Sequence, residues 1–128
     1  MCTLQRRPAF VDERLVSIAR LQFLQCAQAS QFAILAYTFM PDHLHALVEG
    51  VAPSSDFRDF CLRLRRRTSA ACWQTLRDRL WQNGYHERAL RDSANVDAVV
   101  AYIIGNPVRA GLVERAEDYP YSWRVILR

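Results

Sequence analysis

The 128-residue chain is 51% hydrophobic and 23% charged, with only four glycines and five prolines. That balance fits one compact domain over residues 1–128 with a real core, and excludes a disordered chain. The net charge of +4 arises from 17 basic residues, all arginine, against 13 acids. No stretch is long and uncharged enough to cross a membrane, and no apolar run precedes Arg6 and Arg7. Cys2, Cys26, Cys61 and Cys72 show no paired short spacing, so reduced thiols in a cytoplasmic protein are expected.

Met1 to Gln5 is read as a short strand. From Asp12 to about Gln28, Leu15, Val16, Ile18, Ala19, Phe23 and Ala27 recur at helical spacing, with Asp12 and Glu13 placed to start the helix. Gln31 to Met40 is an apolar run of strand length, Pro41-Asp42 is a turn signal, and His43 to Glu49 alternates, which together predict a hairpin. Ser54 or Ser55 can cap a second helix from about Asp56 into the seventies, with Phe57, Phe60, Cys61, Leu64 and Ala71 inward. Trp81 to Leu90, with Asn83-Gly84 inside it, reads as an irregular strand or small hairpin. A third helix runs from about Ser93 to Ile104. This order suits an α+β sandwich with an antiparallel sheet, of the ferredoxin-like kind, plus one further helix.

The second helix is the basic one. Between Asp56 and Arg79, seven arginines (Arg58, Arg63, Arg65, Arg66, Arg67, Arg77, Arg79) oppose Asp56, Asp59 and Asp78, so seven minus three accounts for the entire +4. Such a stripe is an electrostatic footprint for a polyanion, or else an ordinary solvated helix face.

Alternate strand residues share a face, so His43, His45, Leu47 and Glu49 lie opposite the apolar Leu44, Ala46 and Val48. Two imidazoles spaced about 7 Å along a strand can converge on one cation, although a lone His-x-His is weak evidence and needs a third ligand. His86 lies in a turn-rich segment and is not chosen for that role. On the third helix Val96, Val99, Val100 and Ile103 form the buried stripe, which leaves Tyr102 and Asn106, four apart, able to address one point. Asn106 has a second reading, as the N-cap of a short turn begun by Pro107 and stopped by Gly111. The other tyrosines, Tyr37, Tyr85, Tyr119 and Tyr121, fall in strand or turn contexts where the ring is structural.

Tyr-Thr-Phe-Met-Pro-Asp-His-Leu-His (Tyr37 to His45) closely resembles the signature of the REP-associated tyrosine transposases, which are single-tyrosine HUH transposases. Trp-Gln-Asn-Gly-Tyr (Trp81 to Tyr85), Tyr-Ile-Ile-Gly-Asn-Pro-Val-Arg-Ala-Gly-Leu-Val (Tyr102 to Val113) and Asp-Tyr-Pro-Tyr-Ser (Asp118 to Ser122) resemble further blocks of that family in the same order. The resemblance implies a ferredoxin-like domain in which His43 and His45 bind a divalent metal, Asn106 completes its shell and Tyr102 is the nucleophile. Glu87 falls where the family often carries an acid and is given no firm role. One departure is that the family's first strand is usually longer than Met1 to Gln5 allows.

On that reading the enzyme cleaves and rejoins single-stranded or hairpin DNA through a 5′-phosphotyrosine, with Mg2+ or Mn2+ at the scissile phosphate and no need for ATP. Arg58, Arg63, Arg65, Arg66, Arg67 and Arg109 would contact DNA, and Trp73 and Trp81 could stack on bases or pack in the core. A nucleoid location follows from such a substrate, and a homodimer is left open. The rival readings are a domesticated hairpin-DNA-binding module that no longer cuts, and a small domain that binds RNA or protein with incidental histidines.

Overall fold

The computed structural model describes residues 1–87 and 95–126. Helix α1 (Glu13–Ala29) begins where the Asp12 carboxylate accepts from the Arg14 N–H, and it buries Leu15, Val16, Ala19, Phe23, Cys26 and Ala27 as its spacing requires. Strands β1 (Phe32–Met40) and β2 (His43–Gly50) form the expected hairpin. Met40 pairs with His43 across the two-residue Pro41-Asp42 loop.

Helix α2 (Phe57–Leu76) is capped by Asp56, whose carboxylate accepts from the Asp59 N–H, and not by either serine. Ser54 and Ser55 turn their hydroxyls back to Gln31, one to its side-chain oxygen at 2.6 Å and one to its carbonyl at 2.7 Å, and so fasten the β2–α2 connection. Both serines are therefore spent on the loop, which leaves the cap to the next carboxylate. Helix α3 (Val96–Ile104) runs into a short α4 (Asn106–Arg109), and a brief strand β3 (Ser122–Arg124) follows.

The sheet is antiparallel in the order β2-β1-β3. The strand expected over Met1 to Gln5 is reduced to two isolated bridges, Cys2 to His43 and Thr3 to Trp81. Directly after Thr3 the chain tightens into a 3-10 turn, in which Gln5 takes the left-handed conformation, so the ladder cannot extend. The order Trp81, Thr3, β2, β1 is nonetheless the antiparallel strand order of a ferredoxin-like sandwich. The strand expected from Trp81 to Leu90 contributes only the Trp81 bridge among the described residues. Residues 88–94, which include the expected helix start at Ser93, lie outside the described residues. The extra strand β3 sits on the far side of β1, an element that three residues of sequence do not announce.

A register shift between Ile34 and Ala36 decides which face each β1 residue serves. Tyr37 and Phe39 pack with α1 and α2, while Ala36 packs with Val100 and Ile103 of α3. Strict alternation would send Ile34 and Phe32 to the α3 face, but the bulge reverses the phase and both join the α1/α2 core. On β2 the same division holds without a break: Leu44, Ala46 and Val48 face α1 and α2, and Leu47 faces α3. The histidines therefore lie on the face that α3 covers.

Candidate active site

His43 is the first residue of β2, and the preceding turn brings the Asp42 carboxylate back onto its ring, with Oδ1 2.8 Å from Nδ1. The other oxygen of Asp42 accepts from Arg6 Nε at 2.8 Å. Partial burial works against the charged carboxylate, but the hydrogen bonds from His43 and Arg6 and their charges outweigh it and hold Asp42 below the usual carboxylate range. Asp42 therefore accepts the Nδ1 proton of His43 and leaves Nε2 as the free lone pair, the arrangement in which a carboxylate fixes the tautomer of a metal-binding histidine. Two residues on, the His45 ring lies 6.5 Å from the His43 ring. Burial, followed by repulsion from His43 when it is protonated and from the charges of the N-terminus and Arg109, lowers the pKa of His45, which favours the neutral ring with its lone pair.

The chain's N-terminal residues brace this strand end. The Met1 amino group donates to the Leu44 carbonyl at 3.0 Å, and Leu44 N–H returns a bond to the Met1 carbonyl at 2.8 Å.

Helix α3 turns Val100 and Ile103 into the sheet, so Tyr102 must face outward, and it is 57% exposed. Its ring stands edge-on to His45 with 6.0 Å between centroids. The junction between α3 and α4 keeps a helical path: Gly105 N–H bonds the Ala101 carbonyl and Arg109 N–H the Gly105 carbonyl, at 2.9 and 3.0 Å. Tyr102 and Asn106 thus stay on one face, one turn apart. Asn106 stands inside the helical stretch with no side-chain cap bond, so the N-cap reading of its amide gives way to a different placement. Its Nδ2 lies 3.5 Å from His43 Nε2, and its Oδ1 lies 3.5 Å from Arg109 Nη2. A half-turn of the amide exchanges these atoms and would direct the oxygen toward the histidines.

His43, His45, Tyr102 and Asn106 line a cleft of about 590 Å³, together with Phe57, Phe60, Cys61 and Tyr85. With the Asn106 amide so turned, two imidazole nitrogens and one amide oxygen would make a donor set that suits a divalent ion. Among the described residues no three His, Cys, Asp or Glu side chains converge, and the further polar side chain beside His43 is Asn106. His86 lines the cleft but forms no such group with the pair.

The six arginines separate by their partners. Arg63 pairs with Asp59 at 2.9 Å on the helix surface, and Arg65 donates to the Gln82 carbonyl at 2.8 Å, which ties α2 to the segment forming the cleft rim. Arg58, Arg66 and Arg67 are exposed and make no ion pair among the described residues. Arg109 lies over the Tyr102 ring, 3.9 Å from its centroid. Trp81 is only 3% exposed and donates its indole N–H to Thr68, which makes it core, whereas Trp73 is 47% exposed.

A model of the IS200-like transposases matches residues 1–106, most of the chain, with His43, His45, Tyr102 and Asn106 inside it. The chain belongs to this family. Among the family's curated members, a Haemophilus influenzae protein named as a REP-associated tyrosine transposase is 28% identical over 80% of this chain and 65% of its own length. A REP-associated tyrosine transposase of Escherichia coli is 29% identical over 71% of this chain and 53% of its own length. The chain thus spans about two thirds and about half of those two relatives. The solved structure of a REP-associated tyrosine transposase bound to a REP hairpin shares the fold, with a TM-score of 0.82 at 24% identity over 94% of this chain and 71% of that one.

In this member of the IS200-like transposase family, His43, His45 and Tyr102, which the sequence singled out, line one cleft. Asp42 was legible only as half of a turn, and nothing in its type marked it as the partner of His43. A carboxylate directly before a ligand-candidate histidine in a two-residue hairpin loop is the signal that finds it.

Proposed function

We infer that the protein is a metal-dependent single-tyrosine transposase that cleaves and rejoins single-stranded DNA next to a hairpin. One observation carries this reading: α3 brings the Tyr102 ring to 6.0 Å from His45 and, one turn later, α4 brings the Asn106 amide to 3.5 Å from His43 Nε2, all lining a single cleft. The family membership and the hairpin held by the solved relative support DNA as the substrate.

His43, His45 and Asn106 would hold the ion, Mg2+ or Mn2+, with Asp42 fixing the His43 tautomer. When bound, the ion supplies Lewis-acid charge at the scissile phosphate, whose anionic oxygens otherwise repel a nucleophile. The Tyr102 phenol oxygen forms the new bond to phosphorus, the bond from phosphorus to the 3′ oxygen breaks, and that oxygen leaves as a 3′-hydroxyl after taking up a proton. The resulting 5′-phosphotyrosine keeps the ester energy needed to join a second 3′-hydroxyl, so strand transfer runs without ATP. Exposure of Tyr102 at the cleft mouth gives a single strand direct access to the phenol. Arg58, Arg66 and Arg67 would hold backbone phosphates along α2.

The test is incubation with labelled hairpin DNA carrying a single-stranded flank, with manganese, followed by a denaturing gel. A covalent adduct is expected, and it should vanish in Tyr102→Phe and on chelation. No adduct with intact hairpin binding would leave the non-cutting DNA-binding module as the better account, and an adduct surviving in Tyr102→Phe would displace the nucleophile.

A further inference from the structure

The guanidinium of Arg109 does more than lie near the site. It covers the Tyr102 ring at 3.9 Å, donates from Nη2 to the Tyr102 backbone carbonyl, and has the same nitrogen 3.5 Å from Asn106 Oδ1. One planar cation therefore touches the ring and the backbone of the candidate nucleophile and the side chain of the candidate ligand. The guanidinium lies where a side chain on residue 105 would stand. A Cβ at Gly105 would stand 2.9 Å from Arg109 Nη1 and 3.1 Å from the Ala101 carbonyl. Gly105 has φ −78° and ψ −8°, an ordinary right-handed conformation that any residue adopts, so glycine is not required there by the backbone. In a helical setting glycine is also a poor choice on propensity. What it provides is the floor on which the arginine head lies.

We propose that Arg109 and Gly105 form a clamp that fixes the orientation of the Tyr102 phenol toward the histidine face, making Arg109 a positioning residue and not a phosphate contact. This rests on the transposase reading for its consequence, but not for its geometry. Tyr102 is exposed on a helix surface and, among the described residues, its ring is bounded by one other aromatic group, His45, at its edge. Without a lid its side chain is free to leave the cleft wall. A stacked guanidinium holds it by its electron-rich face, and the bond to the Tyr102 carbonyl anchors the guanidinium itself.

The clamp predicts two readouts. In the DNA-free, nitrogen-labelled protein, the Arg109 Nε–H resonance, identified by its loss in Arg109→Lys, should be displaced upfield by the ring current. It should return to the position of exposed arginines in both Tyr102→Leu and Gly105→Ala. In single-turnover reactions with hairpin DNA and manganese, Arg109→Ala and Gly105→Ala should each slow adduct formation roughly three- to tenfold, while the hairpin dissociation constant changes less than about twofold. Arg109→Lys should not restore the rate, because an ammonium carries the charge without the flat stack.

The Gly105→Ala variant guards against misfolding, since alanine favours the helix it is placed in. An Arg109 resonance indifferent to Tyr102→Leu overturns the clamp. So does an Arg109→Ala protein that loses hairpin affinity in proportion to rate, or full rescue by lysine, either of which makes the residue a phosphate contact. If the wild-type protein forms no adduct, the transposase reading fails, and the resonance alone decides whether the clamp exists.

Discussion

Removing the charge of Asp42 tests the site without touching a proposed ligand. In Asp42→Asn the side chain keeps its shape, and the backbone carbonyl that receives the Thr3 N–H at 2.9 Å and the Thr3 hydroxyl at 3.1 Å is unchanged, so the turn should stand. What is lost is the charge-assisted bond to His43 Nδ1 at 2.8 Å and the ion pair with Arg6 at 2.8 Å. An asparagine can present either its oxygen or its amino group to Nδ1. In the second orientation the proton moves to Nε2 and the lone pair facing Asn106 disappears. Outer-shell partners of this kind are worth about 10- to 100-fold in metal affinity, or roughly 1.4 to 2.7 kcal/mol. Calorimetric titration with Mn2+, alongside circular dichroism to show the fold intact, measures the loss. A folded Asp42→Asn protein that binds manganese as tightly as the wild type would refute the tautomer argument.

Four other outcomes follow from contacts elsewhere in the structure. Replacing Arg58, Arg66 and Arg67 together with alanine should weaken hairpin binding and flatten the dependence of log Kd on log salt by about 0.7 to 0.9 per lost phosphate contact, read by fluorescence anisotropy. Arg65→Ala should instead loosen the cleft rim, because its partner is the Gln82 carbonyl and not solvent. Thr68→Val leaves the buried Trp81 N–H, now 2.7 Å from the threonine oxygen, without an acceptor. The cost is about 1–3 kcal/mol, visible as a fall in urea midpoint followed by tryptophan fluorescence. Finally, burial pushes the Cys61 and Cys72 thiols up from 9.0 to about 11. The folded thiols keep protons that unfolded ones release in that window, so stability should be full below pH 9 and decline as pH rises to 11, at up to about 1.4 kcal/mol per unit and per thiol. Urea midpoints compared across that range check the sign.

Periodicity carried most of the architecture. The alternation of β2 correctly assigned Leu44, Ala46 and Val48 to the core and the histidines to the other face, and the α3 stripe turned Tyr102 and Asn106 the same way. Both are local properties of a repeating backbone and survive into the fold. The features that escaped are set by contacts distant in sequence or by single-residue irregularities. The bulge near Leu35 reverses the facing of Phe32 and Ile34 at a point where every residue is apolar. Trp81 is hidden because Thr3 and Thr68 meet it, neither of which is near it in sequence. The basic stripe on α2 looked uniform, yet Asp59 and Gln82 remove two of its arginines from the free set. The Asn106 alternatives turned on a boundary of one residue, since Gly105 takes the N-cap place of α4 and Asn106 its first helical position.

The central claim is that Tyr102 carries the DNA. The tryptic peptide spanning residues 92–109 contains one tyrosine, Tyr102. After reaction with hairpin DNA and manganese, nuclease trimming and trypsin digestion, mass spectrometry should find that peptide heavier by a nucleotide 5′-phosphate, with fragment ions placing the mass on Tyr102. A nucleotide on a peptide bearing Tyr37, Tyr85, Tyr119 or Tyr121 would contradict the account.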